Sequence, residues 1–277
     1  MYRITKVLNH NTVMAVDADG SRSYLIMGKG IGFGKKISER MEVRDSDTVY
    51  SLQESTERGD AQEMAKSISP EYLEIANEIL GIAEKEFGKV DRKILFPMAD
   101  HIEYAVKRIK NHEQIRNPLN EDIRVLFHQE YKVAQHMETI LKERMGIQIE
   151  PDEIGYVALH IHSAIDDQKV SQAMQVAQAV RECISIVENE IGRPIDVMSL
   201  SYNRLMNHVR YMVARAMSGE KLKLSMNDYM EIKFPKTFQM ATTICDNIGA
   251  SLKCKLDEVE IGYLAIHIER VMGTGDF

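Results

Sequence analysis

The first 40 residues alternate between short β-prone runs and residues that favour turns. The runs lie at positions 4–8, 12–16 and 23–27, and each is followed by a turn segment rich in Asn, Asp or Gly. This spacing predicts short antiparallel strands joined by tight turns. We expect a fourth strand at about 31–36 and one more around 49–52, within a polar linker at 40–69. The pattern therefore predicts a small antiparallel all-β domain at residues 1–58.

From Ser69 onward, hydrophobic residues recur with the spacing of α-helices. Ser69 is a favourable N-cap, and Pro70 suits the first position of a helix. Apolar residues then follow one helical face, at Leu73, Ile75, Ala76, Ile79, Leu80 and Ala83. This periodicity predicts that the remainder of the chain is all-α.

The helical part of the sequence is duplicated. Residues 153–161 (EIGYVALHI) recur at 260–268 (EIGYLAIHI), and the same offset of 107 relates His101 to His208. Each copy therefore holds two histidines that are 59 residues apart. Two anchor points without an intervening gap predict two homologous helical-bundle domains in a multidomain protein. These two domains are assigned to residues 65–170 and 171–277.

The composition, 44% hydrophobic and 28% charged, is typical of a soluble globular protein. The sequence has no run of eighteen apolar residues, and its N-terminus lacks the apolar segment of a signal peptide. Cys183, Cys245 and Cys254 lack C-x-x-C spacing, which excludes a zinc ribbon. We expect a cytoplasmic protein that does not insert into a membrane.

Charge is distributed unevenly along the chain. Residues 1–40 contain seven Lys or Arg and three acidic residues, which gives a net charge of +4. Because the whole chain carries −7, the remaining residues carry −11. An anionic partner is therefore expected to meet the N-terminal domain. A sheet of this size has a marginal core that would gain from pairing with a second copy, so we expect a homodimer.

The run Gly28-Lys29-Gly30-Ile31-Gly32-Phe33-Gly34-Lys35-Lys36 matches neither a dinucleotide-binding fingerprint nor a P-loop. If it is extended, its glycines share one face, and Lys29, Ile31, Phe33 and Lys35 share the other. Lysines that neutralise phosphates and a ring that stacks on a base suit single-stranded or looped nucleic acid. A glycine-rich hairpin with solvated lysines remains an equal alternative.

The duplicated histidines His101, His160, His208 and His267 allow several interpretations. A buried histidine that serves packing alone is one of them. Metal ligation lacks further ligands at a recognisable spacing, and His162 would face away from His160 on a helix. Catalysis lacks a nucleophile motif. Phosphorylation requires only an accessible imidazole and an interface that added negative charge would remodel.

Two groups of motifs together resemble one family. Lys6-Val7-Leu8-Asn9-His10-Asn11 and the segment 27–36 resemble the co-antiterminator RNA-binding domain of the bacterial transcriptional antiterminators (the BglG/SacY/LicT family) that control sugar-uptake operons. The duplicated body is similar to their two phosphotransferase-system regulation domains. His10 replaces the asparagine usual at the middle of that turn. Gly34 and the pair His160-x-His162 resemble the glucose-type branch.

The resemblance implies that a dimeric N-terminal domain binds a partly mismatched hairpin in leader mRNA and prevents an overlapping terminator from forming. It implies phosphorylation of the four histidines by the phosphocarrier protein HPr and a sugar-specific EII permease, commonly repressing through the first helical domain and activating through the second. No cofactor, metal or enzymatic activity is expected. The implied RNA-binding residues are Lys6, Asn9, Asn11, Gly28, Lys29, Phe33 and Lys35.

Two other functions remain as alternatives. A metal-dependent phosphohydrolase would use His101, His160, Asp100 and Glu153 as ligands, although their spacing disfavours it. A sugar-responsive DNA-binding repressor is disfavoured because no helix-turn-helix pattern precedes the helical body.

The two copies also differ beside their second histidines. Small residues follow His160, whereas Arg270 lies three residues after His267, at the distance where helical side chains meet. A phosphate on His267 could pair with Arg270. An equally weighted alternative is that Arg270 only complements the dipole at the C-terminus of the last helix.

Overall fold

A computed structural model describes residues 1–53, 55–56, 59–113, 115–166 and 169–273. The expected domain ends at residues 58 and 277 lie outside the described residues. The chain divides into two compact units. The first comprises Met1–Asn120 with Phe127–Val170, and the second comprises Glu121–Leu126 with the residues from Ser171 onward.

The N-terminal region is a five-stranded antiparallel sheet, as its alternating pattern predicts. The strand order is β4-β1-β2-β3-β5, and the core of the sheet is formed by residues such as Ile4, Val13 and Ile26, each at most 1% exposed. The strands are β1 (Tyr2–Asn9), β2 (Thr12–Val16), β3 (Ser23–Met27), β4 (Arg40–Met41) and β5 (Thr48–Ser51).

The prediction of a strand at 31–36 is wrong, because this segment is a succession of turns, and β4 is the edge strand that pairs with β1. Segment 40–69 is also more ordered than the expected linker. In addition to β4 and β5 it contains the paired strands β6 (Ser55–Thr56) and β7 (Gly59–Asp60), followed by helix α1 (Ala61–Ser67). The Asp60 side chain caps α1 by accepting from the Gln62 N–H, which is a local N-terminal signal.

The rest of the first unit is helical. Helix α2 begins at Pro70 with Ser69 as its N-cap residue, as expected. The Ser69 side chain makes no capping hydrogen bond, and its backbone N–H donates instead to Glu103. The helices are α2 (Pro70–Phe87), α3 (Leu95–Lys110), α4 (Asn120–Leu126, mostly within the second unit), α5 (His128–Met145) and α6 (Pro151–Asp166).

The second unit repeats this succession of helices. Helices α9 and α10 begin and end 107 residues after α4 and α5, the offset found in the sequence. The structure therefore confirms a β domain followed by duplicated all-α segments. No helix in the described part of the chain is both long and apolar enough to span a membrane. The helices are α7 (Val170–Ile191), α8 (Leu200–Ser218), α9 (Asn227–Lys233), α10 (Pro235–Leu252) and α11 (Val259–Met272).

Candidate functional site

The turn between β1 and β2 is bound to the glycine-rich loop at residues 28–36. Asn11 Oδ1 accepts from the Gly30 N–H at 2.9 Å, and the Asn11 carbonyl accepts from the Gly28 N–H at 2.9 Å. Asn9 Oδ1 accepts from the Asn11 N–H at 2.9 Å. The carbonyl oxygens of the two side chains therefore stabilise the turn and the loop, and their NH₂ groups take no part in these contacts.

The glycine-rich loop is not extended, so the prediction of two opposite faces is wrong. Gly30 has φ +71°, a left-handed conformation that favours glycine. A Cβ on Gly28 would lie 1.9 Å from Asp47 Oδ1, and one on Gly32 would lie 2.2 Å from the Asn9 carbonyl oxygen. These glycines permit close packing, and Ile31 is buried at 7% exposure instead of sharing a face with Phe33.

The loop nevertheless presents an aromatic ring and cationic groups at the surface. Phe33 is 70% exposed, and its ring lies edge-to-face with the His10 ring at 5.4 Å between centroids. Lys6 and Lys29 are exposed. Lys35 pairs with Glu39, so its charge is partly compensated. An exposed ring in a domain that also exposes lysines is suited to stacking on a base while phosphates are neutralised.

Glu74 on α2 occupies the amide groups of the two asparagines. Its Oε1 accepts from Asn9 Nδ2 at 2.7 Å, and its Oε2 accepts from Asn11 Nδ2 at 3.3 Å. A carboxylate resembles a phosphate as an acceptor of such hydrogen bonds. Nucleic acid would therefore compete with Glu74 for these N–H donors.

The two histidines of the first copy meet, as their spacing allows. His101 on α3 and His160 on α6 have ring centroids 5.6 Å apart with a tilt of 48°. The His101 side chain is 12% exposed, and His160 is 3% exposed. His162 faces other partners: its Nδ1 lies 2.9 Å from Glu130 Oε1, and its ring lies 4.3 Å from that of Phe127.

A buried glutamate adjoins the first histidine. Glu153, with a 3% exposed side chain, places Oε2 at 3.2 Å from His101 Nε2. Arg108 donates to both of its oxygens, through Nη2 at 2.7 and 2.9 Å and Nε at 3.2 Å. Burial acts to raise the pKa of Glu153, but the close contact with His101 and the hydrogen bonds from Arg108 outweigh it and hold that pKa below its ordinary value. Glu153 is therefore an anion at neutral pH.

The second copy repeats the cluster with closer rings. His208 and His267 stack at 4.8 Å, and Glu260 accepts from Arg215 Nε at 2.6 Å and Nη2 at 2.9 Å. Burial, with contributions from His267 and Arg215, lowers the pKa of His208 to about 3. Burial also lowers the pKa of His267 to about 4, assisted by the charges of Arg270 and Arg204. Both imidazoles are neutral at pH 7.

From the sequence, Glu153 was considered only as a metal ligand of the phosphohydrolase alternative, and Glu260 was given no role. Both open the duplicated nine-residue block, so the repeat itself carried the signal. The arginines, in contrast, lie seven residues after the first histidine of each copy, two helical turns away on the same face. Among the described residues, no group of three or more His, Cys, Asp or Glu side chains is arranged to hold a metal ion.

Two family profiles match most of the chain. That of the CAT RNA binding domain matches residues 2–59, and that of the PRD domain matches twice, at residues 73–164 and 181–271.

Several known proteins are similar over nearly their whole length. The GlcA/glcB genes antiterminator of Staphylococcus carnosus is 29% identical, covering 96% of this chain and 94% of its own. The transcription antiterminator LicT of Bacillus subtilis is 26% identical, covering 98% and 99%. The crystal structure of GlcT CAT-PRDI is 28% identical with a TM-score of 0.51, covering 60% of this chain and 98% of that one.

Proposed function

The chain belongs to the family of bacterial transcription antiterminators that join a CAT RNA-binding domain to two PRD domains, and from this premise we propose that it binds a hairpin in leader mRNA. Binding prevents an overlapping terminator from forming in a sugar-utilisation operon, under control of the phosphotransferase system. Its relatives named GlcT place it in the glucose-type branch. We assign it no enzymatic activity and a cytoplasmic location.

One coincidence carries this proposal. The CAT match at residues 2–59 covers the segment with the excess of positive charge and the exposed Phe33 ring. RNA hairpins are recognised through unstacked loop or bulge bases that stack on aromatic rings, together with phosphate contacts.

We propose distinct roles within the RNA surface. Phe33 stacks on an unpaired base, and Lys6 and Lys29 neutralise phosphates. Asn9 and Asn11 contribute their amides after release from Glu74. Gly28 keeps the loop close to Asp47, and Lys35 supports the loop through Glu39 as well as contributing positive charge.

We propose phosphorylation of His101, His160, His208 and His267, with HPr and a sugar-specific EII permease as donors. Transfer to His160, at 3% exposure, requires the contact between α3 and α6 to open. Two phosphates facing each other across a symmetric interface would repel, since each adds roughly −1.5 to −2 charges. Such repulsion would let phosphorylation control the association of a homodimer. Each chain of the dimer has domains at residues 1–58, 65–170 and 171–277.

A gel-shift comparison tests the function. The full chain is titrated into an RNA hairpin selected from a pool of partly mismatched hairpins, and into duplex DNA of the same sequence. We expect salt-sensitive binding that prefers the RNA. Phe33→Ala should cost roughly 1–3 kcal/mol of binding free energy. Lys29→Gln should weaken binding and reduce its salt dependence, whereas the control Lys85→Gln, at an exposed position on α2, should not. Equal affinity for both nucleic acids would contradict the proposal.

A further inference from the structure

The first histidine of each copy turns its Nε2 toward a buried carboxylate. His101 Nε2 lies 3.2 Å from Glu153 Oε2, and His208 Nε2 lies 3.6 Å from Glu260 Oε2. Both Nε2 atoms are buried, although the two side chains keep 12% and 11% of their exposure. The solvent-accessible part of each ring is therefore not at Nε2.

An arginine fixes the charge and the position of each carboxylate. Arg108 binds both oxygens of Glu153, and Arg215 binds both oxygens of Glu260. An arginine stays protonated in proteins, and an ionised carboxylate only accepts hydrogen bonds. A ring nitrogen that faces such a carboxylate is therefore favoured as N–H, and the other ring nitrogen then carries the lone pair. The contacts between Nε2 and the carboxylate do not have the geometry of a formed hydrogen bond in either copy. Catalytic hydrogen bonds are often long or poorly aligned before the reacting complex forms.

We propose, on the basis of the phosphorylation proposed above, that Glu153 and Glu260 are positioning residues. They hold His101 and His208 in the tautomer protonated at Nε2 and thereby make Nδ1 the nitrogen that accepts the phosphoryl group. The arrangement occurs twice, 107 residues apart, with the same three residue types in each copy. Hydrophobic side chains could fill the same buried positions, so packing alone does not require a buried ion pair beside each of these histidines.

The chemical step follows from this tautomer. The Nδ1 lone pair attacks the phosphorus of a donor that carries a P–N bond, and a new P–N bond forms on the histidine. The donor's P–N bond breaks, and its electron pair leaves with the donor nitrogen, which takes up a proton from solvent. The proton on Nε2 stays between the ring and the carboxylate. The charge of Glu153 or Glu260 offsets the positive charge that develops on the imidazole, a role that an oriented carboxylate also has in catalytic triads.

The test uses the full chain and phosphoramidate, a small phosphoryl donor whose leaving group is ammonia. ¹⁵N NMR of the unmodified protein should show His101 and His208 as the Nε2–H tautomer. After labelling, ³¹P NMR should show the Nδ1-phosphorylated isomer at these two positions, with sites assigned by mass spectrometry. The Nδ1–H tautomer, or the Nε2 isomer, would overturn the inference.

Two variants serve as controls for each other. In Glu153→Gln the amide oxygen stays on Arg108, so the NH₂ group faces His101 and favours the wrong tautomer. We expect phosphorylation of His101 to slow by roughly 100-fold or more and that of His208 to stay unchanged. Glu260→Gln should give the reverse. Unchanged rates at both sites in either variant would overturn the inference.

Arg108→Lys keeps the carboxylate ionised, so it should retain the Nε2–H tautomer even if it loosens the fold. A tautomer that changes in this variant would contradict the assigned role of the carboxylate charge. The tautomer measurement needs no phosphoryl donor. It therefore separates a failure of this inference from a failure of the proposed regulation, which would appear as absent phosphorylation of all four histidines.

Discussion

In the first helical domain the rings of His101 and His160 are tilted with centroids 5.6 Å apart, whereas in the second those of His208 and His267 stack at 4.8 Å. Both pairs adjoin a buried glutamate that an arginine holds. The residues that would accept and position a phosphoryl group are thus retained, and the spacing of the rings has changed.

The surroundings of the second histidines have diverged further. The first domain buries His162 against Glu130. At the positions 107 residues later the second domain has Glu269 hydrogen-bonded to Thr237. The charge of Arg270 also acts on His267. The same modification would therefore meet different electrostatics in the two domains, which supplies a physical basis for opposite regulatory signs.

A third difference lies beside α5 and α10. Tyr131 OH donates to the Pro151 carbonyl at 3.3 Å. The equivalent Phe238 has no hydroxyl, and it lines a cleft of about 820 Å³ in the second domain. The hydrogen bond behind the cluster therefore differs between the domains, whereas the histidine, glutamate and arginine of the cluster are present in both.

The largest expected effect tests what the domains share. Arg108→Ala and Arg215→Ala each leave a glutamate as an uncompensated buried charge, so each should lower the free energy of unfolding by about 3–5 kcal/mol. Arg124→Ala removes an exposed pair with Glu121 and should cost at most about 1 kcal/mol. Urea unfolding, with hydrogen exchange to localise the loss, measures all three. A cost for Arg108→Ala as small as the control would contradict a shared structural role.

The next prediction concerns pH. The pKa of His208 falls from 6.5 to about 3 on folding, so its neutral form stabilises the folded state fully above pH 6.5. That stability is lost as the pH falls from 6.5 toward 3, because the unfolded chain binds the proton first. The thermal unfolding temperature of the second domain should therefore fall as the pH is lowered over this range. His208→Asn should reduce the dependence without abolishing it, because His267 also has a lowered pKa, and His136→Asn, at an exposed position, should leave it unchanged. An equal slope in both variants would exclude His208 as the cause.

A smaller effect on stability is expected from exchanging Tyr131 and Phe238. Tyr131→Phe removes the hydroxyl that donates to the Pro151 carbonyl and accepts from Asn120, and it should lower the free energy of unfolding by about 1–2 kcal/mol. Phe238→Tyr adds a hydroxyl beside an open cleft and should change it by at most about 0.5 kcal/mol. The two variants are compared by their urea midpoints, provided that the unfolding free energy depends equally on urea concentration in both. A larger loss of stability in Phe238→Tyr than in Tyr131→Phe would contradict an open cleft beside Phe238.

The smallest expected effect concerns Arg270. If it pairs with phosphorylated His267, Arg270→Ala should reduce antitermination only when the phosphoryl donor is present. If it only complements the helix dipole, a cost of about 0.3–1 kcal/mol should appear with and without donor. Antitermination measured in both conditions separates the two roles, and equal effects would remove the pairing.

The sequence predicted the elements whose signals are local or repeated. Strand β2 begins at Thr12 and helix α2 at Pro70 as expected, because alternation and helix-start residues are read over a few positions. The loop at 28–36 was predicted wrongly because contacts from distant residues, such as Asp47 against Gly28, determine its path.

The candidate sites show the same limit. The repeat located the four histidines, with Arg108 and Arg215 seven residues after the first histidine of each copy. Spacing alone proposed Glu153 only as a metal ligand and not as the buried partner of an arginine. The contact of Glu74 with Asn9 joins residues 65 positions apart, and no periodic signal in the sequence encodes such a pair.

Single-round transcription on a leader template whose hairpin the protein binds tests the central claim most directly. Read-through past the terminator is measured without protein, with the wild-type chain, and with His101→Asp and His208→Asp as charge mimics of phosphorylation. We expect the wild type to raise read-through, His101→Asp to lower it relative to wild type, and His208→Asp to raise it further. Read-through that does not respond to the protein, or that shifts in the same direction in both variants, would contradict antitermination controlled in opposite directions by the two helical domains.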